Sequence, residues 1–217
     1  MAYTFPLAAT VFADLLSIAQ VRFWLPSRQE VSGLGSGLII AAELSPPLWM
    51  AEVSLAPMEE ADAGRVQAII ETLDGAINEF YLYNPRRKYP LDDPDGSTIG
   101  ASAVKIKANQ NGKELQLKSL PAGYTLKAGD FLSWSYNSMT MFHRISEDAT
   151  ADGSGNTGWF EVRPHLIASS AAADTAVSLK KPAMRAIMVP GSFDPGTTRP
   201  PVITEGMSFQ AIQSFRT

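Results

Sequence analysis

The sequence predicts a mainly β protein: a β-sandwich with one main packed helix, plus a small β-barrel or sandwich domain. Two observations carry this. Residues 49–90 read as strand, helix, strand, and the run of short segments after Val104 alternates apolar and polar residues with no helical period.

In chain order, Phe5 to Ala19 places Leu7, Val11 and Leu15 four apart with Phe12 and Leu16 beside them, which reads as a short helix weakened by Thr10 and Val11. Val21 to Leu25 alternates as a strand and ends at Pro26. Ser32-Gly33-Leu34-Gly35-Ser36-Gly37 is glycine-rich. It runs into an apolar stretch, Leu38 to Ala42, and lacks the Lys-Ser/Thr pair and helix start of a phosphate loop, so it reads as a flexible loop or hairpin. Pro46-Pro47 leads into Trp49, Ala51, Val53 and Leu55, which share one face of a strand opposite Met50, Glu52 and Ser54. Pro57 stops that strand. Glu59, Glu60 and Asp62 then favour a helix N-terminus, and Val66, Ile69, Ile70 and Leu73 form a stripe at helical period that Gly75 terminates, so the helix lies near residues 59–74. Phe80 to Tyr83 is a further strand, cut by Asn84-Pro85.

Leu91 to Gly100 is turn chemistry and marks a boundary. Short alternating runs follow at Val104–Lys107, Leu115–Leu117, Phe131–Tyr136, Met141–Ile145, Trp159–Arg163 and Val177–Leu179, separated by Gly-, Pro- and Asn-rich turns. Met184 to Val189 is another apolar run. An extended, turn-rich connector with three Pro-Gly or Pro-Pro steps precedes a last alternating strand, Met207 to Phe215, which is expected to return to the first sheet. On this reading residues 1–92 plus 184–217 form the sandwich and residues 100–183 an inserted barrel-like domain.

Charged residues make up 18% of the 217, below the usual ~25%. The net charge of −4, with no strongly basic half, argues against nucleic acid as the main partner. Cysteine is absent, which removes disulfides, thiolate metal sites and cysteine nucleophiles. The N-terminus lacks the charged-then-apolar order of a signal peptide, and no run reaches the ~18 apolar residues of a membrane span. Synthesis and folding in a reducing cytoplasm, with no membrane partner, is the expectation.

Chemistry-bearing candidates are few. His143 lies inside one strand run and His165 follows Pro164; neither has metal-ligand spacing, and both read as structural. Asp148 to Asn156 superficially resembles a calcium loop, but its twelfth position is Trp159 where a bidentate Glu belongs, so a long hairpin loop is expected. Arg86-Arg87-Lys88 is the compact basic cluster, followed closely by Asp92, Asp93 and Asp95, and reads as a solvated loop or subunit contact. Glu59, Glu60, Asp62, Glu71, Asp74 and Glu79 suggest a solvated helix face more than a glycosidase pair. No catalytic residue, cofactor site or metal site is assigned.

The ordered segments WMAEVSLAPM, AIIETLDG and FYLYNPRRKYPLDDPDG, then SLPAGYTLKAGDFLS, ISEDATADGSGNTGWFEVRPHL, VSLKKPAMRAIM and MSFQAIQSF, span nearly the whole chain. Together they resemble distal tail proteins of long, non-contractile-tailed bacteriophages. That resemblance implies a homo-oligomeric ring, usually a hexamer, in the virion tail. Such a ring joins the tail tube protein to the baseplate or tip hub, and DNA and the tape-measure protein pass through its lumen. It implies a second β-rich domain projecting outward and no catalytic residue. Arg86, Arg87 and Lys88 are then interface candidates. Two rivals stand beside it: a carbohydrate-binding module using Trp134, Tyr136 and Trp159 as exposed aromatics, and a cell-wall hydrolase using the scattered acids and histidines.

Overall fold

The computed structural model describes residues 3–33, 35–167, 169–199 and 202–216. Leu34 of the glycine-rich segment and Pro200-Pro201 of the connector lie outside the described residues. In chain order the elements are β1 (Ile18–Trp24), β2 (Gln29–Gly33), β3 (Ile39–Glu43), β4 (Met50–Leu55), β5 (Met58–Glu59), α1 (Glu60–Glu71) and β6 (Phe80–Tyr83). After a 3-10 turn at Pro85–Arg87 come β7 (Lys105–Gln110), β8 (Glu114–Lys118), β9 (Thr125–Leu126), β10 (Phe131–Tyr136), β11 (Met139–Ile145), β12 (Ala149–Thr150) and β13 (Phe160–Arg163). The chain closes with β14 (Ala183–Met188), β15 (Thr197–Arg199), β16 (Ile203–Glu205) and β17 (Ser208–Gln213). The protein is mainly β, with curled sheets and one α-helix among the described residues.

The first sheet has the order β1-β4-β17-β14-β6 and is antiparallel throughout. Period two decides which residues enter it. Ala51, Val53 and Leu55 of β4, Phe209 and Ala211 of β17, Met184, Ala186 and Met188 of β14, and Phe80 and Leu82 of β6 all point inward. They meet Val66, Ile70 and Leu73 of the α1 stripe in one core, with Ile69 packed at its margin. β17 returns from the far end of the chain to lie between β4 and β14.

The second sheet, β10-β11-β13-β8-β7, surrounds a second core of Ile106, Leu115, Leu117, Leu132, Trp134 and their neighbours. Its two edge strands are linked by the segment that follows the turn at Asp174. Ala176 bridges Lys105 of β7, and Ser178 exchanges both backbone hydrogen bonds with Ser133 of β10 at 3.0 and 2.8 Å. The Val177–Leu179 run is thus not a ladder strand; it spans the gap across which the sheet curls.

The β10–β11 hairpin belongs to both cores. Phe131 and Phe142 face the first, stacking on each other at 5.0 Å and meeting Trp49 edge-on at 5.6 Å each. Leu132, Trp134, Met141 and Ile145 face the second. Trp49 Nε1 donates to the Phe142 carbonyl at 2.9 Å, and Arg185 of β14 bonds Glu79 at 2.7 Å and the Ser138 carbonyl at 2.6 Å.

Two further expectations are corrected. Phe5 to Ala19 is not a helix: Leu7 pairs in parallel with Phe80, and residues 9–15 form successive turns whose hydrogen bonds skip three, four or five residues. Pro6, Thr10 and Val11 disfavour a helix, while burial of Leu7, Phe12 and Leu16 needs only the apolar spacing. The C-terminal connector is also more regular than expected, because β15 and β16 pair and extend β5 into a three-stranded sheet beside α1. Gly196 makes this hairpin possible: its φ is +76°, and a Cβ there would lie 2.5 Å from the Glu205 carbonyl oxygen.

Candidate functional site

His143 is fully buried. Its ring stacks on Trp134 with centroids 4.6 Å apart, and Nδ1 bonds the Pro164 carbonyl at 2.8 Å. Burial drives its pKa down to about 4, so the ring is neutral at physiological pH. Nε2 is enclosed without a partner. His165 lies at the surface within 3.4 Å of Glu161, which also pairs with Arg163 at 2.8 Å. The two histidines serve separate places, and no group of three or more metal-ligating side chains occurs among the described residues.

The Asp148–Asn156 loop joins β11 to β13 as a hairpin excursion. Asp152 Oδ1 accepts from the backbone N–H groups of Ser154 and Asn156 at 2.8 and 2.9 Å, and Ala151 bridges Thr157. Asp148 accepts from Ala128 N at 2.8 Å and pairs with Lys127 at 3.0 Å. These carboxylates are consumed by backbone N–H groups and a lysine, which holds both pKa values below the ordinary aspartate range. Glu60, Asp62 and Glu71 of α1 are exposed, while Glu79 is buried against Arg185.

The aromatic trio is corrected in part. Trp134 is buried, because its strand is covered on both faces and its indole N–H donates to the Ser170 carbonyl at 2.7 Å. Tyr136 is half-buried at the margin of the second core. Trp159, 40% exposed, is the member with a free face. Three aligned aromatics, as a sugar platform would require, do not form.

The basic corner after β6 is partly anchored. Arg86 is exposed, and Lys88 leans over the Tyr83 ring at 6.0 Å. Arg87 is half-buried, with Nη1 enclosed and unpartnered. The acids that follow in sequence form no ion pair with the corner among the described residues. Asp93 is committed to the backbone of Thr98 and Ile99 at 3.0 and 2.9 Å, Asp95 to Ser97 N at 3.0 Å, and Asp92 lies 3.7 Å from Lys127.

The glycine-rich segment sits at the tip of a hairpin that is far more exposed than its sequence suggests. Among the described residues β2 and β3 pair only with each other, and every residue of both strands is exposed. Val31 and Ile39 share one face of this hairpin at 62% and 72% exposure, while Ile40 lies on the other. Pro26 on one side and Pro46-Pro47 on the other bracket the arm where it leaves the first sheet. At its base an open cleft of about 630 Å³ lies between Leu25, Arg28, Glu43 and Leu44 and the Arg163–Ile167 segment. The brackets were readable, but an apolar run such as Leu38–Ala42 ordinarily signals burial, so its exposure was not. No protein-family model matches the chain, and no curated protein matches it.

Proposed function

We propose that this chain is a structural subunit of a homo-oligomeric ring in the tail of a long, non-contractile-tailed bacteriophage. In this reading it is a distal tail component between the tail tube and the baseplate or tip hub, and the lumen passes DNA and the tape-measure protein. No residue carries catalysis. The observation that supports this best is the β2–β3 arm. A lone two-stranded hairpin is marginal in water, and this one joins no sheet and exposes Val31, Ile39, Ile40 and Leu44. Such a surface is stabilised when covered. A second copy of the chain supplies a cover that repeats from subunit to subunit and can close a ring. The order of segments, which resembles that of distal tail proteins, supports the placement in a tail, and six copies is the number that resemblance implies.

Light scattering and negative-stain imaging test the reading. The wild type is expected to form rings. Val31→Lys with Ile39→Lys places charge on one face of the arm and should abolish assembly while leaving the circular dichroism of the folded chain intact. A wild type that stays monomeric at high concentration, with no affinity for tail tube protein, overturns the proposal.

A further inference from the structure

Arg86, Arg87 and Lys88 line a cavity of about 190 Å³ together with Pro85, Tyr89 and Pro94. Behind it Arg144 lies over Trp49 and Phe131, with its guanidinium carbon 4.7 and 4.9 Å from the ring centroids. Burial, and then the charge of Arg87, pull the Arg144 pKa down, which places two guanidinium groups within electrostatic reach of each other. None of these four cations forms an ion pair among the described residues. The carboxylates around them make their hydrogen bonds elsewhere, although the charge of Arg87 reaches Asp130 and that of Lys88 reaches Asp14. Asp93 and Asp95 hold loop backbone, and Asp130, 1% exposed, accepts from Leu91 N and Lys127 N at 2.9 and 2.8 Å. The corner is therefore a concave surface whose cations form no direct ion pair among the described residues, and Arg87 Nη1 is a buried donor without an acceptor among them.

The opposite charge lies at the start of α1. Glu59, Glu60 and Asp62 are exposed, and the Glu59 side chain makes no capping hydrogen bond. Asp62 has Arg65 at 3.2 Å, whereas Glu59 and Glu60 have no cation partner among the described residues. The topology keeps the two patches apart. β4 is antiparallel to β17, β17 to β14, and β14 to β6, so β4 and β6 run in opposite directions. The acidic turn follows the C-terminal end of β4 and the basic corner follows the C-terminal end of β6. They lie at opposite ends of the sheet, and a subunit cannot bring its own acids to its own corner.

We propose that the Arg86–Lys88 corner receives the carboxylates of Glu59 and Glu60 from a second copy of this chain, in a head-to-tail contact. This contact rests on the ring reading above and specifies its partner surfaces. Joining unlike patches is what generates a repeating, closable assembly, whereas a like-to-like contact ends at a dimer.

Sedimentation of the full chain tests it, using Arg86→Glu with Lys88→Glu as one variant and Glu59→Lys with Glu60→Lys as the other. Arg87 and Arg144 are left in place because they are part of the packed structure. Each variant should keep its near-ultraviolet circular dichroism and lose roughly tenfold or more in association affinity. Wild-type association should weaken as salt rises. An equimolar mixture of the two variants should recover assembly, because each corner then faces a helix start of opposite charge. If the wild type assembles and neither variant changes its affinity, this contact is wrong and the ring reading survives. A wild type that never associates removes both. A fluorescent DNA duplex that binds the wild type and the Glu59/Glu60 variant, but not the Arg86/Lys88 variant, assigns the corner to phosphates and overturns the proposal.

Discussion

His143 shows how a residue type that suggests chemistry is spent on packing. Its ring is clamped between Trp134 and the Pro164 carbonyl, and desolvation lowers its pKa from 6.5 to about 4. In the unfolded chain it takes a proton below about pH 6.5. Between pH 6.5 and 4 the unfolded state therefore binds more protons than the folded state, and stability falls as the pH falls through that window. The loss levels off below the folded pKa and amounts to on the order of 3 kcal/mol. Asp130 acts the other way, since burial raises its carboxyl pKa and its folded form holds a proton longer. Comparing the melting temperature of wild type and His143→Gln from pH 7 to 4 separates the two. The variant starts less stable and should show a flatter profile; parallel profiles would mean that His143 titrates normally. Trp134, on the neighbouring strand, makes the same point about legibility. Alternation identifies a strand, but the number of its faces that are covered depends on what folds over it, and that information lies far away in sequence.

At the scale of the element, α1 was the most legible part of the chain, because acids at its start and a stripe at spacings of three and four are local signals. Its weak points are local too. Gly64 lies mid-helix on the exposed side, and a Cβ built there meets nothing within 4 Å. Gly64→Ala should add about 0.5–1 kcal/mol by restricting the unfolded chain. A rise of roughly 1–4 °C in melting temperature checks it, and a fall would show that the helix face is occupied. The elements that were misread fail for non-local reasons. Leu7, Phe12 and Leu16 have helical spacing, yet pairing of Leu7 with Phe80 turns the segment into a buried chain of turns. Thr197–Arg199 looks like connector until β16 and β5 supply partners. The β2–β3 arm reads as a loop or hairpin, but the exposure of the apolar strand β3 follows only from its having no partner but β2 among the described residues. The basic corner was visible as Arg86-Arg87-Lys88, but its lack of ion pairs among the described residues was not, since Asp92, Asp93 and Asp95 follow within a few residues and spend their carboxylates on other groups.

For the whole molecule, the wall between the two cores decides whether the segment expected as an insertion can stand alone. Phe131 and Phe142 are 4% and 0% exposed because Trp49, Phe23 and the first sheet cover them. In an excised fragment of residues 100–183 both rings face water, the Trp49 N–H no longer satisfies the Phe142 carbonyl, and Arg144 loses the indole beneath it. Exposing a buried Phe costs about 1.5–3 kcal/mol. Two of them, with one broken buried hydrogen bond at about 1 kcal/mol, consume much of the roughly 5–15 kcal/mol that stabilises a domain. The fragment is therefore expected to lack a cooperative melt and sharp near-ultraviolet dichroism, while the full chain melts in one transition. Trp49→Ala in the full chain should act on both cores at once, lowering stability by about 3–5 kcal/mol without splitting the melt. Two resolved transitions in the full chain, or a fragment with a sharp melt of its own, would show that each core folds independently and that the β10–β11 wall is a docking surface. If the single transition holds, a load placed on the β2–β3 arm or the basic corner in the proposed ring would be carried through that wall into the second core.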